Sequence, residues 1–191
     1  MNIRFRLALS VLCVTFLGLL VPSALRADNL VSNGNFASGG IDWTFTPAAS
    51  GSDFFYETFP GDTYAAFGGL STGYYDTIAQ TLSTQSGQSY TLSFLIANDY
   101  GTQDADFQTL WDGVEVGDVS GINWFGYTEY TFDVTGTGGD TLSFEGYQVP
   151  SWYNLTDVSV STTATPEPSS LYLLGTGLVA LGGLVRRKLR A

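Results

Sequence analysis

The chain has 191 residues with 18 acidic and 7 basic side chains, no histidine and one cysteine, for a formal net charge of −11. A chain this acidic repels nucleic acid and anionic membrane surfaces, and the missing histidine removes imidazole base catalysis. All seven Lys and Arg residues lie among the first 26 or the last six positions, so residues 28–165 keep 17 acidic side chains and no Lys, Arg, His or Cys. Nucleophilic triads and cationic transition-state clamps are therefore unavailable to that stretch.

Residues 1–27 read as a secretory signal peptide. Arg4 and Arg6 precede the apolar run Leu7 to Val21, and small residues follow at Ala24 and Ala27, where a signal peptidase cuts. Cys13 lies inside the apolar run behind Leu12, the wrong setting for a lipid attachment site. It is the only cysteine, so the mature protein enters an oxidising compartment without a disulfide.

Residues 28–161 have the length of one domain and the composition of an all-β one, rich in Thr, Ser, Gly, Tyr and Phe with no sustained 3.6-residue period. Tyr90, Leu92, Phe94 and Ile96 alternate with Thr91, Ser93, Leu95 and Ala97, the pattern of a strand with one core face. Phe107, Thr109 and Trp111 lead to Asp112-Gly113, a favoured two-residue hairpin turn, and Val114 and Val116 continue on its far side. Tyr130, Phe132 and Val134 form another strand, a Gly-rich turn at 136–139 leads to Leu142 and Phe144, and Leu155, Val158 and Val160 need a bulge to share one face. About ten strands at this turn spacing predict a β-sandwich.

Within the domain, Asn98, Asp99, Asp104 and Asp106 surround Gly101 without the alternating acids of an EF-hand, and read as a solvated loop between strands. Asn154-Leu155-Thr156 fits a glycosylation sequon but falls in a predicted strand. Acidic pairs such as Glu115 with Asp118 or Glu129 with Glu145 are acid–base candidates in principle, and nothing sets them at a glycosidase separation, so the domain reads as non-catalytic. Its 25 aromatic residues are the remaining ligand chemistry. Tyr90, Phe94, Phe132 and Phe144 belong to the core by alternation. In the adjacent pairs Tyr74-Tyr75, Trp124-Phe125 and Trp152-Tyr153, one member must point away from it. Tyr75, Trp124 and Trp152 are the candidates for an exposed platform; the alternative is a hydrophobic rim covered by loops.

Three segments together resemble a known group. Asn29 to Phe36 followed by Trp43 resembles the opening strand of jelly-roll carbohydrate-binding modules of the galactose-binding-like group. Gly87 to Phe94 looks like their central strand, and Leu155 to Val160 is similar to their closing strand. The resemblance implies a two-sheet jelly roll that binds glycans such as extracellular polysaccharide. It also implies a structural calcium between first and last strands, with Asn35 in the 33–37 stretch and Asp157 as matching positions. Ala37 stands where the group often has an acid, which leaves Asp28, Asn35 and Asp157 to supply side-chain oxygens.

The chain ends with Pro166-Glu167-Pro168-Ser169-Ser170, an apolar run from Leu171 to Val185, and Arg186, Arg187, Lys188, Leu189 and Arg190. As a helix the run spans about 22 Å, short of a hydrocarbon core of about 30 Å. The basic cluster holds its far end in the cytoplasm and leaves the domain outside. Pro166 and Pro168 keep residues 162–170 extended and open to proteolysis. This order resembles the PEP-CTERM sorting signal of bacteria, which implies recognition and cutting by a membrane-embedded exosortase in cells that make extracellular polysaccharide. An ordinary membrane anchor with a proline stalk is the alternative. Two functions fit such cargo: a glycan-binding module, or a structural or adhesive matrix component with no small ligand. Ice binding is disfavoured because no Thr-x-Thr ladder repeats at a solenoid period.

Overall fold

The computed structural model describes residues 28–59, 61–100, 104–120, 123–163, 174–178, 180, 186 and 188. Ten strands form in chain order: β1 (Thr44–Thr46), β2 (Phe54–Phe59), β3 (Asp62–Phe67), β4 (Asp76–Leu82), β5 (Ser89–Asn98), β6 (Ala105–Trp111), β7 (Val114–Asp118), β8 (Phe125–Thr135), β9 (Asp140–Gln148) and β10 (Tyr153–Thr162). They pair antiparallel into a first sheet ordered β1-β4-β9-β6-β7 and a second ordered β2-β3-β10-β5-β8. The fold is a two-sheet jelly-roll β-sandwich.

Alternation decides which face of each strand enters the core. Along β5, Tyr90, Leu92, Phe94 and Ile96 are buried, and the facing first sheet contributes Ile78, Phe107, Leu142 and Phe144. Phe94 meets Phe144 edge-on at 5.1 Å and Phe107 at 6.4 Å, which joins the sheets through aromatic contacts. Each such buried ring contributes about 1.5–3 kcal/mol relative to exposure. Phe132 lies partly buried at the margin of this core. The Asp112-Gly113 turn is as predicted, with both residues at positive φ (51° and 75°), the twist a two-residue hairpin requires. The bulge in the closing strand falls between Thr156 and Ser159, with Asp157 at φ 51°.

The opening segment differs from the strand its resemblance implies. Asn33 and Phe36 have φ values of 50° and 52°, so the chain coils through turns at 32–35 and the first regular strand waits until Thr44. The segment still belongs to the sandwich. Phe36 is fully buried, Leu30 N donates to Val160 O at 2.8 Å, and Val158 N donates to Gly34 O at 2.9 Å. Only glycine fits at position 34, because a Cβ there would meet Val158 O at 2.1 Å.

Asp140 closes the end of the sandwich where β10 finishes. It is fully buried and accepts bonds from the Thr84 hydroxyl, from Thr137 N at 2.9 and 3.0 Å and from Thr137 Oγ1 at 2.8 Å. Burial alone would raise its pKa, but the hydrogen bonds it accepts from Thr84 and Thr137 outweigh it and hold the carboxyl well below the usual range.

In the tail, residues 174–178, 180, 186 and 188 are helical, and Arg186 and Lys188 are exposed. Among the described residues no helix is long and apolar enough to cross a membrane. The signal peptide at 1–27, Pro166, Glu167, Pro168, Arg187, Arg190 and most of the 171–185 run lie outside the described residues.

Candidate ligand-binding site

One row of the second sheet sets the geometry. Phe67 pairs Tyr153, Tyr153 pairs Asn98, and Asn98 pairs Phe125, so β3, β10, β5 and β8 all meet their loops at the same end. The connections there carry Leu70, Tyr74, Tyr75, Tyr100, Trp124 and Trp152. Backbone bonds knit them together: Asp99 N to Trp152 O, Gly68 N to Asp53 O and Val149 N to Asp104 O. The three aromatic candidates thus share one end of the molecule, but they do not form one open platform. Trp124 is 67% exposed, whereas Tyr75 and Trp152 are half-buried and belong to different sheets.

Tyr75 precedes β4 and turns onto the outer face of the first sheet. Its hydroxyl donates to Asp106 Oδ2, which also accepts from Gln108 Nε2 at 3.1 Å, and its ring meets Tyr147 edge-on at 5.1 Å. Register explains the grouping, because Asp106 pairs Tyr147 and Gln108 pairs both Glu145 and Asp118 across β9 and β7. The result is a cluster on the outer face in which half-buried Tyr75 covers buried Tyr147 beside an amide and two carboxyls. Burial, then the hydrogen bond and charge of Asp106, raise the Tyr75 pKa, so this phenol stays a donor at neutral pH. Burial and the hydrogen bond with Asp106 also hold the Asp118 carboxyl above its usual range. Sequence reasoning missed Tyr147 and Gln108. The signal that finds them is the alternation of β9 and β6, which turns both outward once Phe144 and Phe107 are placed inside.

Trp152 is anchored instead of open. Its Nε1 donates to Asp53 O at 3.2 Å, its ring stands edge-on to Phe55 at 5.7 Å, and it lies so close to Gly68 that a Cβ there would come within 2.5 Å of Nε1.

The predicted acidic loop is a correction. Asn98 ends β5 fully buried, where its Oδ1 accepts from Tyr100 N at 3.1 Å and from Gln148 Nε2. Asp106 is a half-buried residue of β6, and only Asp99 and Asp104 of the four are exposed. A polar side chain is stable at the core end of a strand when a second buried amide faces it. Glu129 and Glu145 lie on different sheets and cannot act as a pair. Asn154 is buried within β10, its Nδ2 donating to Asp99 Oδ2 at 2.8 Å.

Around the implied calcium position, Asn35 and Asp157 flank the contact between Gly34 and Val158. Asn35 Oδ1 accepts from Ala37 N at 3.2 Å and Asn33 Oδ1 from Ser38 N at 3.1 Å, so both amide oxygens already serve the turn. Asp157 is exposed at the bulge. Calcium takes six to eight oxygens, and among the described residues no three acidic side chains converge to hold a metal.

Comparison with known proteins divides the chain in two. Residues 164–188 match the PEP-CTERM protein-sorting motif, so the chain carries a sorting signal, and that signal implies an exported protein. No curated protein matches the chain in sequence. The sandwich is similar in fold to TmCBM61, solved with β-1,4-galactotriose (TM-score 0.57, 13% identity, covering 72% of this chain and all of that one). It is also similar to the CBM22-1 xylan-binding domain of Paenibacillus barcinonensis Xyn10C (TM-score 0.52, 15%, 75% and 100%). A third likeness is to the K3 cleaved adhesin domain of Lys-gingipain from Porphyromonas gingivalis (TM-score 0.51, 11%, 72% and 100%).

Proposed function

We propose that this protein is an exported, non-catalytic glycan-binding module. In this reading the tail anchors it in the inner membrane, and an exosortase-type protease then cuts near Pro166–Pro168 and passes it to the cell surface or extracellular matrix. The observation that carries the glycan reading is the Tyr75, Tyr147, Asp106 and Gln108 cluster. The half-buried Tyr75 ring, braced edge-on by the buried Tyr147, offers a face that stacks on a sugar ring, while an oriented carboxylate and amide bond sugar hydroxyls, and neither requires a basic group. The likeness to carbohydrate-binding modules supports the fold as a scaffold for such a face.

The test is a polysaccharide array probed with the mature chain from Asp28. Tyr75→Ala and Gln108→Ala are expected to weaken any binding found by about tenfold each, the scale of one lost stacking or hydrogen-bonding contact. Full binding by both variants would sink the assignment of this face. A second reading, a structural or adhesive matrix protein with no small ligand, is supported by the exposed aromatic side chains of the loop end and by the likeness to an adhesin domain. An array with no bound glycan would favour it.

A further inference from the structure

The outer face of the second sheet is covered where its own side chains are short. Tyr153 and Leu155 of β10 point into the core, so Asn154 between them faces outward, paired with Ala66 of β3 and Ala97 of β5. An outward row of Ala, Asn and Ala would lie open to water, yet all three residues are buried. Longer side chains close over it. Phe55 extends the row on β2, where it pairs Ala66, and Trp152 stands edge-on to Phe55. From the other side, Tyr127 sits opposite Ala97 in the irregular stretch of β8 between the Ile96–Thr128 and Asn98–Phe125 pairs. Burial, then the charges of Asp62, Asp99 and Asp157, raise the Tyr127 pKa to about 12. Asp157 lies on β10, two strands from β8, and Asp62 on β3, one strand further, so the Tyr127 ring reaches across the sheet over β5.

Two independent observations here point to the same missing group. Tyr64, outward on β3, donates its hydroxyl to Glu57 Oε2 at 2.9 Å, and the exposed carboxylates of Asp62, Asp99 and Asp157 act on this pair of tyrosines. Residues 28–165 hold no Lys, Arg or His to balance them. Beneath the rings, Asn154 is 7% exposed; its Nδ2 donates to Asp99 Oδ2 at 2.8 Å, and its Oδ1 is buried without a donor. A buried amide oxygen normally has one.

We infer that this face takes an arginine side chain of a partner protein. A guanidinium stacks on aromatic rings, spreads its charge over a plane and carries five N–H donors and no acceptor. Those properties match two tyrosine rings, dispersed carboxylates and an oxygen short of a donor. Calcium needs six to eight oxygens at one point, and among the described residues no three acidic side chains converge. The lysine ammonium is a compact, strongly hydrated point charge and fits a spread of acceptors less well. Tyr127, 43% exposed on an edge strand, is the ring that a guanidinium displaces or lies upon to reach Asp99 and Asn154. This face belongs to the sheet opposite the Tyr75 cluster, and the inference does not rest on the glycan reading.

The test titrates acetyl-Gly-Arg-Gly-amide into the isotope-labelled full chain in neutral detergent micelles at about 0.15 M salt, following the Asn154 side-chain amide and the Tyr127 backbone amide by NMR. Both resonances are expected to shift saturably, and the lysine counterpart should bind about threefold more weakly or worse. Tyr127→Ala should weaken binding about fivefold, and Tyr127→Phe, which keeps the ring, by less than about twofold. Asp99→Asn should cost about threefold, whereas Asp133→Asn, an equal loss of charge at the far end of β8, should leave binding unchanged. These side chains are exposed, so the fold is kept. Equal weakening by Asp99→Asn and Asp133→Asn would mean general attraction to an acidic domain and would overturn the site, as would wild-type binding by Tyr127→Ala. Absence of a saturable shift overturns it as well. A neutral galactan that moves the same resonances when the peptide does not would assign the face to polysaccharide and overturn the arginine inference while leaving the glycan reading intact.

Discussion

The two ends of the sandwich are built on opposite rules. At the tail end, Asp140 is buried and receives a donor at each oxygen, tying together the connections before β5 and before β9. At the loop end, polar groups are buried with atoms unpaired: Asp76 Oδ2, Gln148 Oε1 and Asn154 Oδ1 have no hydrogen-bond partner, while aromatic rings stand in solvent above them. Buried polar groups are normally satisfied, so the end that departs from the rule is the one under a different demand. The fully bonded buried carboxylate lies where the tail attaches, and the unpartnered buried oxygens and the exposed aromatic rings gather at the other end.

Asp140→Asn should break this contrast most severely. The amide nitrogen cannot accept from Thr84 or Thr137, and a loss of about 2–3 kcal/mol is expected from leaving those donors unpaired. Urea unfolding at pH 7 measures it. Because the folded-state pKa of Asp140 lies below its unfolded value, its contribution is present above the unfolded carboxylate range and is lost as pH falls through the folded value. The variant should therefore show a flatter decline of stability below about pH 4.

Asp76→Asn sharpens the same comparison from the other side. Its Oδ1 accepts from Ala48 N at 2.9 Å, a bond that an amide oxygen keeps, while the unpartnered oxygen is replaced. Stability should change by less than about 1 kcal/mol, in either direction. A loss as large as that of Asp140→Asn would show that the loop end is as tightly built as the tail end. The smallest effect belongs to calcium. Because the junction of Gly34 and Val158 is held by a direct backbone bond, millimolar calcium should move the melting temperature by no more than about 1 °C. A rise of several degrees, lost in Asp157→Asn, would assign a bound ion to this junction.

Much of the framework was legible because alternation and turn chemistry are local. Tyr90 to Ile96 and Asp112-Gly113 state their structure within a few residues, and the bulge before Ser159 follows from the spacing of Leu155 and Val158. The opening segment was not, since positive φ at Asn33 and Phe36 depends on Gly34 docking against a residue more than 120 positions away. Asn98 and Asp106 read as loop residues because the partners that admit them, Gln148 and Tyr75, are distant in sequence. Among the aromatic candidates, Trp124 stands exposed. Tyr75 and Trp152 are half-covered by Tyr147 and Phe55, ring contacts that no local pattern announces.

The position of β10 has a consequence for the order of events during export. It is the last of the described strands to be made, yet it sits between β3 and β5 in the middle of the second sheet, so the β2-β3 and β5-β8 pairs are not joined until the chain has emerged almost to the sorting motif. Pairings that close over such long separations form late. A chain crossing from its N-terminus thus completes its sheet only as residues 164–188 reach the membrane, which makes arrival of the sorting tail and completion of the fold nearly the same moment.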